Sequence, residues 1–129
     1  MGTDNKTPTG LNILIAEDEP INYMILEKIL STMGANIFWA KDGIEAVDMA
    51  RPHHDIQMVF MDIRMPEMDG FEATKIIRSE FPELAIIMLT AYTLSNEEEL
   101  CIKAGATAFL TKPIRPVELR QVINEIAIK

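Results

Sequence analysis

Five short apolar runs alternate along this chain with segments in which apolar residues recur every three or four positions. The runs cover residues 11–16, 35–40, 58–61, 84–89 and 107–110. The third and fourth contain no polar residue, which is typical of strands buried on both faces of a parallel sheet. Because strand and helix alternate with short connections, we predict a doubly wound α/β fold, with five parallel strands and helices on both faces.

The length and composition of the chain indicate one globular domain. The 129 residues suffice for one hydrophobic core, and we predict a flexible tail or linker over residues 1–10 and the domain over 11–129. The formal charge of −8 disfavours direct nucleic-acid binding, and no apolar run is long enough for membrane insertion. The single Cys101 excludes an internal disulfide and suits a reducing compartment, so a cytoplasmic location is expected.

The helices are expected to begin near Pro20, Asp42, Gly70, Ser95 and Pro116. The first carries Ile21, Ile25 and Ile29 at i+4 spacing, with Leu26, Leu30 and Met33 beside them, which predicts an amphipathic helix. The second is expected to turn four apolar residues inward: Ile44, Ala46, Val47 and Ala50.

Four of the predicted strands lead directly into polar residues. Glu17 and Asp18 follow the first strand, Asp62 ends the third, Thr90 ends the fourth, and Lys112 follows the fifth. Because the carboxyl ends of parallel strands share one edge, these side chains are expected to meet where open α/β sheets bind their ligands. A lone carboxylate at a strand end would more often cap the next turn, so the convergence carries the functional argument.

Three carboxylates at one edge repel one another and therefore call for a cation. Oxygen ligands on an open edge favour Mg²⁺ and leave room for a phosphoryl group. Lys112 and the Thr90 hydroxyl are suited to bind the oxygens of that anion. Asp62 is then a candidate nucleophile that would form an aspartyl phosphate.

Two other functions share parts of this pattern. A haloacid-dehalogenase-type phosphatase needs a second acid two residues after its nucleophile, but position 64 is Arg. A flavodoxin-like mononucleotide binder would need a phosphate-binding loop after the first strand, where this chain is acidic. Neither a dinucleotide fingerprint nor a P-loop spacing occurs.

Four motifs, ILIAEDEP, MDIRMPEMDG, IIMLTA and AFLTKP, occur in that order from Ile13 to Pro113. Together they closely resemble the receiver domain of two-component response regulators. The resemblance implies the flavodoxin-like strand order 2-1-3-4-5 and a role in phosphorelay signal transduction. Such a domain is a switch rather than an enzyme, because it catalyses only its own phosphorylation and dephosphorylation. Its partner would be a histidine kinase or a histidine phosphotransfer domain.

The resemblance also implies roles for single residues. Asp62 would accept the phosphoryl group. Glu17 and Asp18 would bind Mg²⁺ together with Asp62, and the main-chain carbonyl of Arg64 would complete the protein ligands. Thr90 would close on a phosphoryl oxygen, which makes it a switch residue.

Further implied features surround this site. Lys112 would pair with the phosphoryl group, and its bond to Pro113 is expected to be cis. Phe109 would occupy a second switch position, where Tyr is also common, and could respond only by packing. Arg64 and Tyr92 would flank the attacking water and lengthen the lifetime of the phosphoryl group.

Several questions stay open at this point. Glu17 stands where Asp is frequent, and its longer side chain could weaken or displace the metal contact. A pseudo-receiver, which is not phosphorylated, remains an alternative.

The organisation of the whole protein also stays open. The domain could be a single-domain regulator or part of a hybrid sensor kinase with a further output domain. It could be a monomer or a phosphorylation-dependent dimer. His53 and His54 indicate a solvated loop, Cys101 a packing residue, and Trp39 no chemical role.

Overall fold

Five parallel strands form one sheet in the order β2-β1-β3-β4-β5 in the computed structural model, which describes residues 10–51, 55–91 and 96–127. The strands are β1 (Asn12–Ala16), β2 (Asn36–Ala40), β3 (Met58–Asp62), β4 (Ala85–Thr90) and β5 (Ala108–Thr111). The helices are α1 (Pro20–Thr32), α2 (Gly43–Ala50), α3 (Gly70–Glu80), α4 (Glu97–Ala104) and α5 (Pro116–Ala127). The predicted fold class and strand order are confirmed.

Helices cover both faces of the sheet. Side chains of α1 and α5 pack on one face, and side chains of α2, α3 and α4 pack on the other. Strand β3 lies at the centre and is buried along its whole length. Because side chains alternate along a strand, Met58 and Phe60 enter the core beneath α1 and α5. Val59 and Met61 enter the core beneath α2, α3 and α4.

Some apolar residues of α1 and α2 are exposed, among them Ile44, which was expected to point inward. Ile21 of α1 is 70% exposed and Ile44 of α2 is 42% exposed, whereas Leu26 and Leu30 of α1 are buried. Each helix thus carries apolar residues outside the face that packs on the sheet. The prediction of inward side chains was therefore wrong for Ile44, although the helix containing it was placed correctly.

The helices that precede and follow β3 in the chain, α2 and α3, begin at aspartate caps. Asp42 accepts a hydrogen bond from the Glu45 N–H at 2.8 Å, and Asp69 accepts one from the Glu72 N–H at 2.9 Å. Such caps satisfy backbone donors that have no partner within the helix. The fourth helix begins at Glu97. Its N-cap position is Asn96, one residue later than the cap predicted at Ser95.

Some predicted features lie outside the described residues: positions 1–9 of the predicted tail, His53, His54, Tyr92 and Ser95. Among the helices within the described ranges, none is long and apolar enough to cross a membrane.

Candidate phosphoacceptor and metal site

The carboxyl edge of the sheet brings the predicted polar residues together. Main-chain hydrogen bonds extend beyond the strand ends and hold these residues in register. The Glu17 N–H donates to the Ala40 carbonyl at 3.0 Å, and the Lys112 N–H donates to the Thr90 carbonyl at 2.8 Å. Glu17, Asp62 and Thr90 are all buried, although polar side chains are normally exposed. Their burial indicates a built site rather than a solvated edge.

Three carboxylates and one ammonium form the centre of the site. Glu17, Asp18 and Asp62 each offer an oxygen within 4.8 Å of the other two. The Lys112 Nζ lies 2.8 Å from Asp62 Oδ1 and 3.4 Å from Glu17 Oε1. Since Lys112 contributes one positive charge against three carboxylates, the ionised cluster keeps an excess of negative charge.

Burial and mutual repulsion shift the protonation of these groups. Burial raises the pKa of Asp62; its hydrogen bond and attraction to Lys112 act in the opposite direction without cancelling the effect. Burial, followed by repulsion from Asp62, raises the pKa of Glu17. Burial would lower the pKa of Lys112, but its hydrogen bond and attraction to Asp62 outweigh this and raise it. The folded chain thus spends free energy to keep two carboxylates charged beside each other.

The cluster fits a hard divalent cation. Its ligand atoms are all carboxylate oxygens, which Mg²⁺ prefers, and a dication would offset the excess negative charge. Asp18 is only partly buried and borders a surface opening of about 520 Å³, which Arg64, Pro66 and Phe71 also line. A cation and an anionic substrate could therefore enter from this side.

The loop between β3 and α3 is held down by a glycine. The Gly70 N–H donates to the Ile63 carbonyl at 2.8 Å. A Cβ atom at Gly70 would lie 2.2 Å from the Asp62 carbonyl oxygen and 2.9 Å from Ile63 Cα. Only glycine permits this approach, since both neighbouring atoms belong to the backbone. The close contact sets the path of the loop that carries Arg64.

Glu97 belongs to the acidic first turn of α4, and it joins two residues of the site. It accepts a hydrogen bond from the Thr90 hydroxyl through Oε1 and one from Arg64 Nη2 through Oε2 at 2.6 Å. The sequence signal was the run of three glutamates at residues 97–99. That run could not show which of them turns towards the sheet edge.

Trp39, to which no chemical role was assigned, supports the acidic loop. Its Nε1–H donates to the Glu17 carbonyl at 2.8 Å, and its ring stacks on Tyr23 with the ring centres 4.0 Å apart. Position 39 is the last but one of β2, the neighbour of β1. The contact depends on strand pairing, which no local pattern reveals.

The remaining predicted features have these positions. The Lys112–Pro113 peptide bond is cis, in agreement with the resemblance. Phe109 is partly buried and packs against the core between the sheet and α2, α3 and α4. Cys101 is fully buried in the same core, and burial together with nearby Glu97 and Glu98 raises its pKa to about 11, as suits a packing residue.

Comparison with known proteins agrees with this geometry. The sequence pattern of the response regulator receiver domain matches residues 13–124. The osmosensing histidine protein kinase SLN1 of Saccharomyces cerevisiae is 34% identical over 128 residues, which are 95% of this chain and 10% of that protein. The polar-differentiation response regulator DivK of Brucella ovis is 31% identical over 105 residues, which are 80% of this chain and 85% of that protein.

Two solved structures share the fold. A receiver domain of a sensor histidine kinase from Pseudomonas aeruginosa, with magnesium coordinated in its active site cleft, has a TM-score of 0.87 and 33% identity, covering 94% of this chain and 100% of that one. The receiver domain of the response regulator Ssk1 of Saccharomyces cerevisiae, crystallised with the histidine phosphotransfer protein Ypd1, has a TM-score of 0.88 and 29% identity, covering 95% and 92%.

The match to the receiver pattern covers most of the chain, and the related structures share its fold. The chain therefore belongs to the receiver domain family of response regulators.

Proposed function

We propose that Asp62 accepts a phosphoryl group in a magnesium-dependent reaction and that the chain acts as a phosphorelay switch. The observation that carries this proposal is the contact of 2.8 Å between Lys112 Nζ and Asp62 Oδ1 inside a cluster of three carboxylates. A partly buried ammonium beside a buried carboxylate can bind an anion that becomes attached to that carboxylate. Family membership makes a phosphoryl group the expected anion.

Each residue of the site has a distinct part in this function. Glu17, Asp18 and Asp62, with the main-chain carbonyl of Arg64, would hold Mg²⁺. Bound Mg²⁺ would offset the charge of the carboxylates and of the phosphoryl oxygens. Lys112 contacts the Asp62 carboxylate in the unphosphorylated chain. After phosphorylation it would pair with an oxygen of the phosphoryl group that Asp62 carries.

The transfer needs no general base. Asp62 attacks as a carboxylate, so an oxygen–phosphorus bond forms while the phosphorus–nitrogen bond of a phosphohistidine breaks. The imidazole leaves with the electron pair of the broken bond. A proton on the departing imidazole keeps it neutral, and Lys112 and the Thr90 hydroxyl stabilise the negative charge that the phosphoryl oxygens carry during the transfer. This chain's residues act only on their own Asp62, so the switch has no external substrate that it turns over.

The partner is proposed to be a histidine kinase or a histidine phosphotransfer domain. The support is the relationship to SLN1 and the likeness to the receiver that was crystallised with Ypd1. The chain spans about a tenth of the length of SLN1, so a larger parent protein with kinase or output domains is part of the same proposal. Thr90 and Phe109 would carry the change to the face formed by α4, β5 and α5.

Intact mass spectrometry tests the assignment. The protein is incubated with Mg²⁺ and a small acyl phosphate, and we expect one added phosphoryl group on the wild type. Asp62→Asn should remove the adduct, whereas Asp48→Asn, an exposed carboxylate on α2, should leave it unchanged. Omission of Mg²⁺ should also prevent the reaction.

Two results would contradict the proposal. One is a wild-type protein that gains no phosphoryl group, as a silent pseudo-receiver would; such a module should also bind no Mg²⁺ at millimolar concentrations. The other is an adduct of undiminished yield on Asp62→Asn. Self-hydrolysis is expected to be slow because Arg64 and Tyr92 are bulky, and a phosphorylated half-life no longer than seconds would refute that part.

A further inference from the structure

Glu97 connects α4 to the proposed phosphorylation site through two separate contacts. It is the first residue of α4, and its side chain is only 13% exposed. One of its carboxylate oxygens accepts from the Thr90 hydroxyl at the end of β4. The other accepts from Arg64 Nη2 in the loop after β3 at 2.6 Å. One side chain thus ties together three elements that meet at the carboxyl edge of the sheet.

The neighbours of Glu97 show that this arrangement is specific to one position. Glu98 and Glu99 share the first turn of α4, where the helix dipole favours any carboxylate. Both are exposed, whereas Glu97 is turned inward. A favourable helix start would explain the three charges but not the burial of one of them. The contacts with Thr90 and Arg64 account for the difference.

We propose that Glu97 is a positioning residue that holds Thr90 and Arg64 in the unphosphorylated chain and competes with the phosphoryl group for them. The Thr90 hydroxyl has a single hydrogen to donate. It therefore cannot donate to Glu97 and to a phosphoryl oxygen at the same time. This inference rests on the proposed phosphorylation of Asp62, because the phosphoryl group supplies the competing acceptor.

Charge makes the competition stronger. A phosphoryl group on Asp62 would add negative charge close to the end of β3. The negatively charged carboxylate of Glu97 already binds Arg64 and Thr90 beside that point. The Arg64 guanidinium, with five N–H donors, could bind either anion. Occupation of the site would thus weaken both contacts of Glu97, and the first turn of α4 would lose what ties it to β4.

The contact stabilises only the unphosphorylated arrangement, so its removal should shift the population towards the phosphorylated one. The expected size follows from the kind of bond that is lost. A hydrogen bond to a charged group contributes more than one between neutral groups, and part of it is replaced by water, so an effect of about tenfold in affinity for a phosphoryl mimic is expected. Affinity for Mg²⁺ alone should change less than about twofold, because Glu97 is not among the three clustered carboxylates.

Beryllofluoride, a stable mimic of an aspartate-bound phosphoryl group, provides the test. Its affinity in saturating Mg²⁺, and the affinity for Mg²⁺ alone, are measured by the fluorescence of Trp39, the single tryptophan. We compare the wild type with Glu97→Ala, Glu97→Gln and Glu99→Ala. Glu97→Ala should bind beryllofluoride about tenfold more tightly. Glu97→Gln keeps an acceptor for Thr90 without the charge, so its affinity should lie between that of Glu97→Ala and the wild type.

Glu99→Ala is the matched control, since it removes the same charge from the same helical turn and should behave as the wild type. An unchanged beryllofluoride affinity in both Glu97 variants, or an equal gain in Glu99→Ala, overturns the inference. Glu97→Gln keeps the test decisive if Glu97→Ala fails to fold. Failure of the wild type itself to bind beryllofluoride, with Mg²⁺ binding intact, would instead overturn the proposed function and the inference with it.

Discussion

Replacing Asp62 with asparagine should make the metal-free protein more stable at neutral pH. The substitution removes the charge from a side chain that is 5% exposed and lies within 4.8 Å of two other carboxylates. It retains the size of the side chain and an oxygen that can accept a hydrogen bond from Lys112. A gain in stability on loss of the central residue would show that the site is maintained for function at a cost in stability.

The magnitude follows from the distances. With an effective dielectric constant of about 20, each carboxylate at 4.8 Å repels Asp62 by at least about 3.5 kcal/mol, and Lys112 at 2.8 Å attracts it by about 6 kcal/mol. The two repulsions exceed the attraction by about 1 kcal/mol. Burial of the charge adds to this cost, so we expect Asp62→Asn to gain about 1–3 kcal/mol.

Urea unfolding, followed by Trp39 fluorescence and by far-UV circular dichroism, measures the effect. The slope of free energy against urea should be unchanged, so that a shift of the midpoint reports stability alone. Asp48→Asn, on the exposed side of α2, should stay within about 0.5 kcal/mol of the wild type. A lower midpoint for metal-free Asp62→Asn, or an equal gain for Asp48→Asn, would refute the reasoning.

The dependence on pH and on magnesium gives two further checks of the same argument. Folding raises the pKa of Asp62, so the folded state binds the proton more tightly than the unfolded state and loses relative stability as pH rises through the folded pKa. The advantage of Asp62→Asn should therefore disappear below about pH 4, where both states bind the proton. Magnesium at ten times its Kd should stabilise the wild type by about 1.4 kcal/mol and the variant by less.

Two other substitutions test the packing around the site. Gly70→Ala should destabilise the chain by about 1–3 kcal/mol and lower magnesium affinity, because its Cβ would meet the Asp62 carbonyl at 2.2 Å; unchanged urea midpoint and affinity would argue against this. Leu26→Ala, at 2% exposure, should cost about 2–5 kcal/mol, whereas Ile21→Ala, at 70% exposure, should stay within about 0.5 kcal/mol. Equal urea midpoints for these two would mean that the buried face of α1 is wrongly assigned.

Most of the fold was predictable because its signals are local. The apolar runs at 58–61 and 84–89, and the helix starts at Pro20, Asp42 and Gly70, depend on residues close together in the chain. Parallel alternation then places all strand ends at one edge, which is why Asp62 and Lys112 could be predicted to meet although 50 residues separate them. The strand order itself came from family resemblance, since no local pattern specifies which strands pair.

Sequence periodicity could not predict which side chains of a helix point towards the sheet. Ile21 and Leu26 belong to the same apolar helix, yet one is exposed and the other buried, because burial depends on which side of the helix packs on the sheet. A run of three glutamates likewise looks uniform, but only Glu97 is turned inward to Thr90.

By itself, the sequence determined the alternation of elements, the sheet edge that carries the site, and the chemical groups gathered there, because each of these follows from short-range pattern and chain direction. Only the tertiary structure decided which donors and acceptors pair across that edge. Trp39 supports the Glu17 carbonyl and Glu97 holds Thr90 and Arg64 because strand pairing and helix docking bring together residues that are remote in sequence. Hydrogen bonds require alignment within a few tenths of an ångström, and that precision comes from the packed core.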